Sequence, residues 1–242
     1  MILDLRLAIG FLTRLPVKTP SLLPEGAMAR SMWAFPLIGA FVGSLSGAIF
    51  ILAHKGLPQW PAALLAVAAG IILTGALHED GLADCADGFG GGADKEAKLA
   101  IMRDSRVGTY GALALILSVS LRATALASFY NPVAALFIAH CLSRAALPLM
   151  MRLVAPATSS GIAASVGLPP WWSTILALAI AVGATLFFYH LNALRPLIAA
   201  LLAGLLVALL ANRNIGGYTG DVLGATEQLV EISVLLSILA LS

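Results

Sequence analysis

Charge is scarce in this sequence. Only 11% of its 242 residues are charged, while 60% are hydrophobic; soluble globular proteins carry about 25% charged residues. This shortage excludes an ordinary soluble domain. The composition indicates a protein that crosses a membrane several times.

Cysteine and processing signals are scarce as well. The two cysteines, Cys85 and Cys141, are too few for a disulfide framework or a zinc cluster, and we expect both to be small packing residues. No small-residue cleavage site follows a distinct apolar segment at the N-terminus, so a secretory signal is not expected. There is no clear internal repeat and no separate soluble domain. Residues 1–242 are therefore predicted to form a single membrane domain.

Long apolar runs are abundant. A helix needs about 20 apolar residues to cross roughly 30 Å of hydrocarbon, and candidates lie near 31–53, 60–77, 108–129, 131–153, 171–190, 195–211 and 227–241. They lack the short alternation of barrel strands, and backbone groups in lipid must be paired within the segment, so helices are expected. The fold class predicted is an all-α transmembrane bundle of about seven spans. The charged, apolar stretch 1–15 is predicted to be an interfacial helix.

The distribution of lysine and arginine predicts an orientation. With the N-terminus in the cytoplasm, only Lys55 and Arg195 fall outside, against ten basic residues inside. Those ten are Arg6, Arg14, Lys18, Arg30, Lys95, Lys98, Arg103, Arg106, Arg152 and Arg213. Segments 78–107, 154–170 and 212–226 should then share the cytoplasmic side. We expect a multi-pass protein of a bacterial or archaeal cytoplasmic (inner) membrane, with its active site facing the cytoplasm.

Segment 78–106 is exceptional because it holds seven of the twelve acidic residues. Asp80, Asp84 and Asp87 stand at i, i+4 and i+7, so on a helix all three carboxylates project from one face. Carboxylates grouped this way repel unless a cation is bound, and Mg²⁺ takes carboxylate oxygens together with substrate phosphates. The three aspartates are therefore predicted to bind Mg²⁺ beside a phosphate substrate. The alternative is a solvated cytoplasmic loop.

The remainder of this segment also suits phosphate chemistry. A glycine cluster leaves room for a ligand to approach the backbone, and the two arginines that follow suit bidentate contact with phosphate. The residues predicted here to contact substrate are Gly90, Gly91, Arg103, Ser105 and Arg106. Asp94 is predicted to cap a short helix that runs through about Met102.

Several residues elsewhere are candidates, each with an alternative role. Asp221, in a second glycine-rich loop, could bind metal or a substrate hydroxyl, or act as a turn or cap residue. Arg14 could contact phosphate or anchor the chain at the membrane. His140 and Arg144 lie one turn apart inside the fourth span, where ionisable groups often serve function; they could contact substrate or pair internally. His78 could accept a proton, but orienting a neighbouring carboxylate is favoured.

Two strings in this region resemble a known family. EDGLADCADGFGGG, followed by IMRDSRVGTYGALAL, is closely similar to the cobalamin-5′-phosphate synthases, also called adenosylcobinamide-GDP ribazoletransferases. The likeness weakens but persists at 11–17, 35–43 and 216–225. These are integral membrane enzymes that use Mg²⁺ to join adenosylcobinamide-GDP to α-ribazole or its 5′-phosphate, releasing GMP. The resemblance implies a phosphoryl transfer in which a ribose hydroxyl attacks phosphorus.

Roles and partners follow from the residues and the resemblance together. Glu79, Asp80, Asp104 and Asp221 are the predicted catalytic residues, as further metal ligands or as groups that orient the nucleophile. The expected partners are the corrinoid nucleotide, α-ribazole and the lipid bilayer, with no nucleic acid. A homo-oligomer is compatible with the sequence.

Two other functions have some support in the sequence. The acidic motif loosely resembles that of the CDP-alcohol phosphotransferases of phospholipid synthesis, but Asp84 and Cys85 stand where that family has Ala-Arg. A transporter could use His140 and Arg144 as a pathway. Transport typically shows an internal repeat or polar residues aligned through several spans, and neither is evident.

Overall fold

The computed structural model describes residues 1–20, 22–158 and 166–240. Within these residues the chain is predominantly helical. The helices are α1 (Ile2–Leu12), α2 (Ala27–Ser31), α3 (Phe35–His54), α4 (Gln59–Thr74), α5 (Leu77–Gly91), α6 (Lys95–Met102), α7 (Thr109–Ala127), α8 (Val133–Leu153), α9 (Trp171–Tyr189), α10 (Leu194–Ile215) and α11 (Gly220–Leu239). Short 3₁₀ turns, Met32–Ala34 and His190–Ala193, precede α3 and α10.

The predicted multi-pass architecture is confirmed. Five helical runs in the described part of the chain are long and apolar enough to cross a membrane, or six when the bent pair α4–α5 counts as one crossing. One of these runs, Trp171–Ile215, has 45 residues. At the start of this run, the Trp171 ring lies 4.3 Å from the Arg152 guanidinium. Just beyond its C-terminal end, the Tyr218 N–H donates a hydrogen bond to the Ala155 carbonyl oxygen. Because both ends return to the end of α8 and the residues just after it, a run of this length is compatible with two crossings and so with the predicted total of about seven.

The second predicted span differs from a straight helix over 60–77. It ends at Thr74, and α5 leaves at an angle of 92°. Gly75 and Ala76 both adopt positive φ, at 67° and 59°, which turns the chain sharply. A Cβ at Gly75 would lie 2.2 Å from Arg14 Nε. Glycine at this position therefore also leaves room for the Arg14 side chain to pack against the bend.

Helices α3 and α8 pack with their backbones in close approach. Gly39, Gly43 and Gly47 recur every four residues along α3. Added Cβ atoms there would lie 2.0 Å from the His140 carbonyl oxygen, 2.4 Å from the Leu136 carbonyl oxygen and 3.0 Å from Val133 Cγ2. Small residues spaced in this way let transmembrane helices approach closely. This packing sets the middle of α8 against α3.

The described parts of the polar segments 78–107, 154–170 and 212–226 gather at one end of the bundle; residues 159–165 lie outside the described residues. Lys98 Nζ donates to Asn214 Oδ1 at 2.7 Å, which joins α6 to α10. Tyr218 and Ala155 form a backbone hydrogen bond of 2.9 Å, which joins the segment after α10 to the segment after α8. The acidic segment and the Asp221 loop are therefore neighbours.

Candidate active site

Helix α5 divides its acidic residues between two environments. Glu79 is buried, whereas Asp80 is exposed and lines a cavity of about 220 Å³, which the buried His78 also lines. The cavity lies between α1, α3, α5, α8 and α11, and Asp221 lines it from the start of α11. The adjacent residues Glu79 and Asp80 of one helix thus lie in the protein interior and at the cavity, respectively.

A close helix crossing brings Asp80 and Asp221 to the same cavity. A Cβ on Gly81 would lie 2.7 Å from the Asp221 carbonyl oxygen, and one on Gly224 would lie 3.1 Å from Gly81 Cα. The backbones of α5 and α11 are therefore in contact. Asp221 Oδ2 accepts a hydrogen bond from Thr219 Oγ1 at 3.2 Å, and Thr219 also caps α11. The predicted meeting of the two acidic motifs is found.

Asp84 adds a third carboxylate to this face. It is half-buried, and the charges of Asp80, Asp221 and Asp87 act on it. No basic side chain in the described parts of the chain forms an ion pair with Asp80, Asp84 or Asp221. Like charges grouped without a counter-charge repel. We call Asp80, Asp84 and Asp221 the rim acids.

Asp87 is engaged by another helix. Its Oδ2 accepts the Gly108 N–H at 2.7 Å and its Oδ1 accepts the Gly111 N–H at 2.8 Å. The carboxylate thereby satisfies donors in the first turn of α7, where negative charge is favourable. The helix that carries Asp80, Asp84 and Asp87 is present as predicted, but Asp87 supports α7. Its role as a metal ligand stays a prediction.

A buried ion network lies deeper in the bundle. Glu79 accepts from Arg122 at 3.0 Å, and Arg122 also reaches Glu231 at 3.5 Å. Arg144 pairs with Glu227 at 2.5 Å. Buried ion pairs need such partners because an unpaired charge in the interior is costly. We call Glu79, Glu227 and Glu231 the network acids. The predicted catalytic role of Glu79 is untested, but its side chain serves this network.

His140 and Arg144 belong to the same network. His140 Nδ1 lies 2.9 Å from Arg144 Nη1 and 3.3 Å from Glu231 Oε2. His140, Glu227 and Glu231 offer atoms within 4.8 Å of one another, a spacing that suits a metal ion. Arg144 already pairs with Glu227, and Arg122 pairs with Glu231 while also pairing with Glu79. The structure therefore favours internal pairing of His140 and Arg144 over the substrate contact also considered.

The arginines that follow α6 are exposed at the surface. Arg106 forms a bidentate pair with Asp104, with its Nη2 donating to Oδ2 at 2.6 Å. This pairing lowers the pKa of Asp104 to about 2. Arg103 and Ser105 are also exposed. Their predicted contacts with substrate remain untested.

Four smaller predictions have definite placements. Asp94 caps α6 by accepting the Ala97 N–H at 2.8 Å, which confirms its predicted role. A Cβ at Gly90 would lie 2.7 Å from the Tyr110 ring, so that glycine permits ring packing, whereas Gly91 is less crowded. The exposed Arg14 lies at the bend between α4 and α5. Both buried cysteines are free thiols.

Sequence reasoning missed part of the network. Gln228 donates to Glu79 at 3.3 Å and accepts from Ser118 at 2.8 Å, while Ser143 donates to Glu227 at 2.9 Å. Matching the basic and acidic residues within the predicted spans could have identified the ion pairs. The arginines of the third and fourth spans match the two glutamates of the last span, because ionisable groups in membranes face one another.

Comparison with known proteins places the chain in a family. A family model described as cobalamin-5-phosphate synthase matches residues 4–239. An adenosylcobinamide-GDP ribazoletransferase of Bradyrhizobium diazoefficiens is 52% identical over 98% of this chain and 93% of its own length. Enzymes of the same name from a Sinorhizobium species and from Mesorhizobium japonicum are 45% and 44% identical, each over 96% of this chain, and over 94% and 91% of their own lengths. No solved structure matches. The chain belongs to the cobalamin-5-phosphate synthase family.

Proposed function

We propose that this protein joins adenosylcobinamide-GDP to α-ribazole, or to its 5′-phosphate, and releases GMP. Its relatives carry the name of that reaction. The structural observation that carries the proposal is the set of rim acids beside a cavity, which have no basic partners among the described residues. Phosphoryl transfer needs charge neutralisation at phosphate, and this is where the chain concentrates free carboxylates.

Mg²⁺ is the proposed cofactor, and the rim acids suit it. Their atoms do not converge as tightly as those of His140, Glu227 and Glu231, the group in the described chain that approaches metal spacing. Mg²⁺ usually keeps several waters and takes one or two carboxylates plus substrate phosphates, so tight convergence of protein oxygens is not required. Asp80 and Asp221 would hold it from the two helices, with Asp84 beside them. When bound, Mg²⁺ would supply positive charge to the phosphate oxygens.

The chain's own residues would place the two reactants. The ribose hydroxyl oxygen attacks the phosphorus attached to the corrinoid side chain, the bond from that phosphorus to GMP breaks, and the hydroxyl proton passes to a nearby base or to water. Asp80 and Asp221 line the cavity and can orient the hydroxyl. Arg103 and Arg106, exposed beyond α6, are the candidates to hold the diphosphate.

Turnover by purified protein tests this function. Protein in detergent or nanodiscs would be incubated with adenosylcobinamide-GDP, α-ribazole and Mg²⁺, and GMP and the joined corrinoid would be quantified. We expect both products in equal amounts, and neither after chelation of Mg²⁺. CDP-alcohol substrates assayed in parallel test phospholipid synthesis, and product from them alone would overturn the proposal.

We also propose that the protein lies in the cytoplasmic (inner) membrane and that its active site faces the cytoplasm. Both native cysteines are buried, so a cysteine introduced at the exposed Ala93 gives a clean reporter. Ala93→Cys should react with an impermeant maleimide only from the cytoplasmic side. Lys55→Cys, in the predicted outside loop, is the matched control and should react only from the other side. The reverse pattern would overturn the orientation.

A further inference from the structure

The cavity behind the rim acids has an apolar interior. Phe11 of α1 and Phe35 of α3 form one wall, with ring centroids 5.9 Å apart and planes inclined by 14°. Met32, Leu147 and Met151 complete much of the lining. Flat rings and thioethers make favourable contact with an aromatic guest. Such a lining suits a planar apolar ring better than a charged group.

One buried polar atom, His78 Nε2, indicates that this cavity binds a ligand. His78 lines the cavity although only 3% of its surface is exposed. Its Nε2 has no hydrogen-bond partner among the described residues, and buried polar atoms without partners are rare. Its Nδ1 lies 3.6 Å from Glu227 Oε2. With Nδ1 carrying its hydrogen toward that carboxylate, Nε2 presents a lone pair that can accept from a hydroxyl.

The reaction proposed above offers three groups for this cavity. The corrin macrocycle is far larger than about 220 Å³. Guanine has several donors and acceptors, which would lose their hydrogen bonds to water in an apolar interior without replacement. The base of α-ribazole is a flat benzimidazole bearing two methyl groups, joined to a sugar with hydroxyls. It alone matches the apolar walls with its ring, while its sugar hydroxyls can donate to His78 Nε2 and to the carboxylates at the cavity edge.

We infer that the cavity between α1, α3, α5, α8 and α11 is the binding site for the benzimidazole base of α-ribazole, with His78 Nε2 accepting a hydrogen bond from a ribose hydroxyl. The inference rests on the proposed function. With the base against Phe11 and Phe35, the sugar lies toward Asp80 and Asp221. The attacking hydroxyl then meets the phosphate at the rim acids. Helix α1, which contributes Phe11, acts as one wall of a nucleoside site.

Phe11→Ala tests the apolar wall. Phe11 is 36% exposed, so its removal should leave folding intact. We expect the KM for α-ribazole to rise about tenfold or more, with the KM for adenosylcobinamide-GDP within twofold of wild type, because lost apolar contact weakens only the ligand in the cavity. Phe41→Ala is the matched control; Phe41 is 48% exposed and does not line the cavity. A rise confined to the KM for the corrinoid nucleotide would overturn the inference.

The base itself gives a second test. Wild type should use the dimethylbenzimidazole riboside about tenfold better, in kcat/KM, than the riboside without methyl groups, because each buried carbon adds apolar contact. Phe11→Ala should reduce that preference. Equal use of both ribosides by wild type would contradict an apolar base site.

His78→Phe examines the hydrogen bond, since it keeps a ring of similar shape but removes both nitrogens. We expect a higher KM for α-ribazole and an unchanged KM for the corrinoid nucleotide; no change in either would overturn the role of Nε2. Equilibrium binding of α-ribazole alone, followed by benzimidazole fluorescence, separates the two proposals. Binding that Phe11→Ala weakens, without GMP release by wild type, would reject the proposed function but keep the cavity assignment. Turnover by wild type, with α-ribazole binding that Phe11→Ala leaves unchanged, would keep the proposed function but reject the cavity assignment.

Discussion

Glu79 and Asp80 are neighbours in the sequence, yet they belong to opposite kinds of site. Glu79 is buried and paired with Arg122, whereas Asp80 lines the cavity and forms no ion pair in the described chain. The same contrast separates the network acids from the rim acids. The network acids have arginine partners within the bundle, whereas the rim acids have no basic partner among the described residues. Partners, rather than residue type, separate the two groups of carboxylates here.

The largest effect should come from a rim acid. Asp84→Asn keeps the size of the side chain but removes one carboxylate from the three rim acids. We expect turnover to fall roughly a hundredfold or more, because stabilisation of charge at the transferring phosphate is the main catalytic term in such reactions. The melting temperature should not fall, since repulsion is relieved. GMP release and thermal unfolding would be measured on the same preparation.

The matched control for this change is Asp94→Asn. It makes the same replacement in the same segment, but asparagine caps a helix about as well as aspartate does, so we expect near-normal turnover. Near-normal turnover in Asp84→Asn as well would remove Asp84 from the metal site.

A network acid should show the opposite profile, with stability as the primary loss. Glu227→Gln leaves Arg144 buried without its ionic partner, and breaking a buried pair in this way costs roughly 3–5 kcal/mol. We expect a markedly lower melting temperature and poor yield in membranes. Glu96→Gln, at an exposed position of α6, is the control and should unfold like wild type. The double change Glu227→Leu with Arg144→Met should recover much of the lost stability, and failure to do so would assign Glu227 a role beyond ion pairing.

The sequence predicts the local features of this fold well. The α6 cap at Asp94, the buried cysteines and the helix carrying Asp80, Asp84 and Asp87 each follow from residue type and spacing over a few positions. The multi-pass helical architecture follows from hydropathy. These features depend on neighbours along the chain, which a single sequence displays.

Contacts between distant residues were harder to foresee. Gly75 at the bend after Thr74 lies against Arg14, and the approach of α5 to α11 depends on Gly81 facing Gly224. Nothing in either glycine's local sequence identifies its partner. For the same reason Glu79 and Asp80 could not be separated in advance, because helical periodicity sets the angle between two side chains but not which of them meets an arginine.

Asp87 lies between the two classes, since it is partnered like a network acid but shares a helix with the rim acids. Asp87→Ala removes both acceptors from the first turn of α7, and losing a cap costs about 1 kcal/mol, with a range of about 0.5–2. We expect a moderate fall in melting temperature and a smaller loss of turnover per folded molecule than in Asp84→Asn. Asp87→Asn, which keeps one acceptor oxygen, should be intermediate in stability. A loss of turnover as large as that of Asp84→Asn, at normal stability, would return Asp87 to the metal site.

The smallest effect on stability is expected at the exposed pair of Asp104 and Arg106. Arg106 holds the pKa of Asp104 at about 2, so Arg106→Ala should raise that pKa toward the ordinary carboxyl value near 4. A depressed carboxyl pKa stabilises the fold above the unfolded-state pKa and stops doing so as pH falls through about 2.

Asp104 is therefore ionised between pH 6 and 9 with or without Arg106, and an exposed pair contributes little in any case. Neither the melting temperature nor the shape of the pH–rate profile should change in Arg106→Ala. If Arg106 instead releases Asp104 to hold the diphosphate, the KM for adenosylcobinamide-GDP should rise several-fold while the KM for α-ribazole stays constant. An unchanged KM for both would leave Asp104 and Arg106 as a surface pair and confine the chemistry to the rim acids.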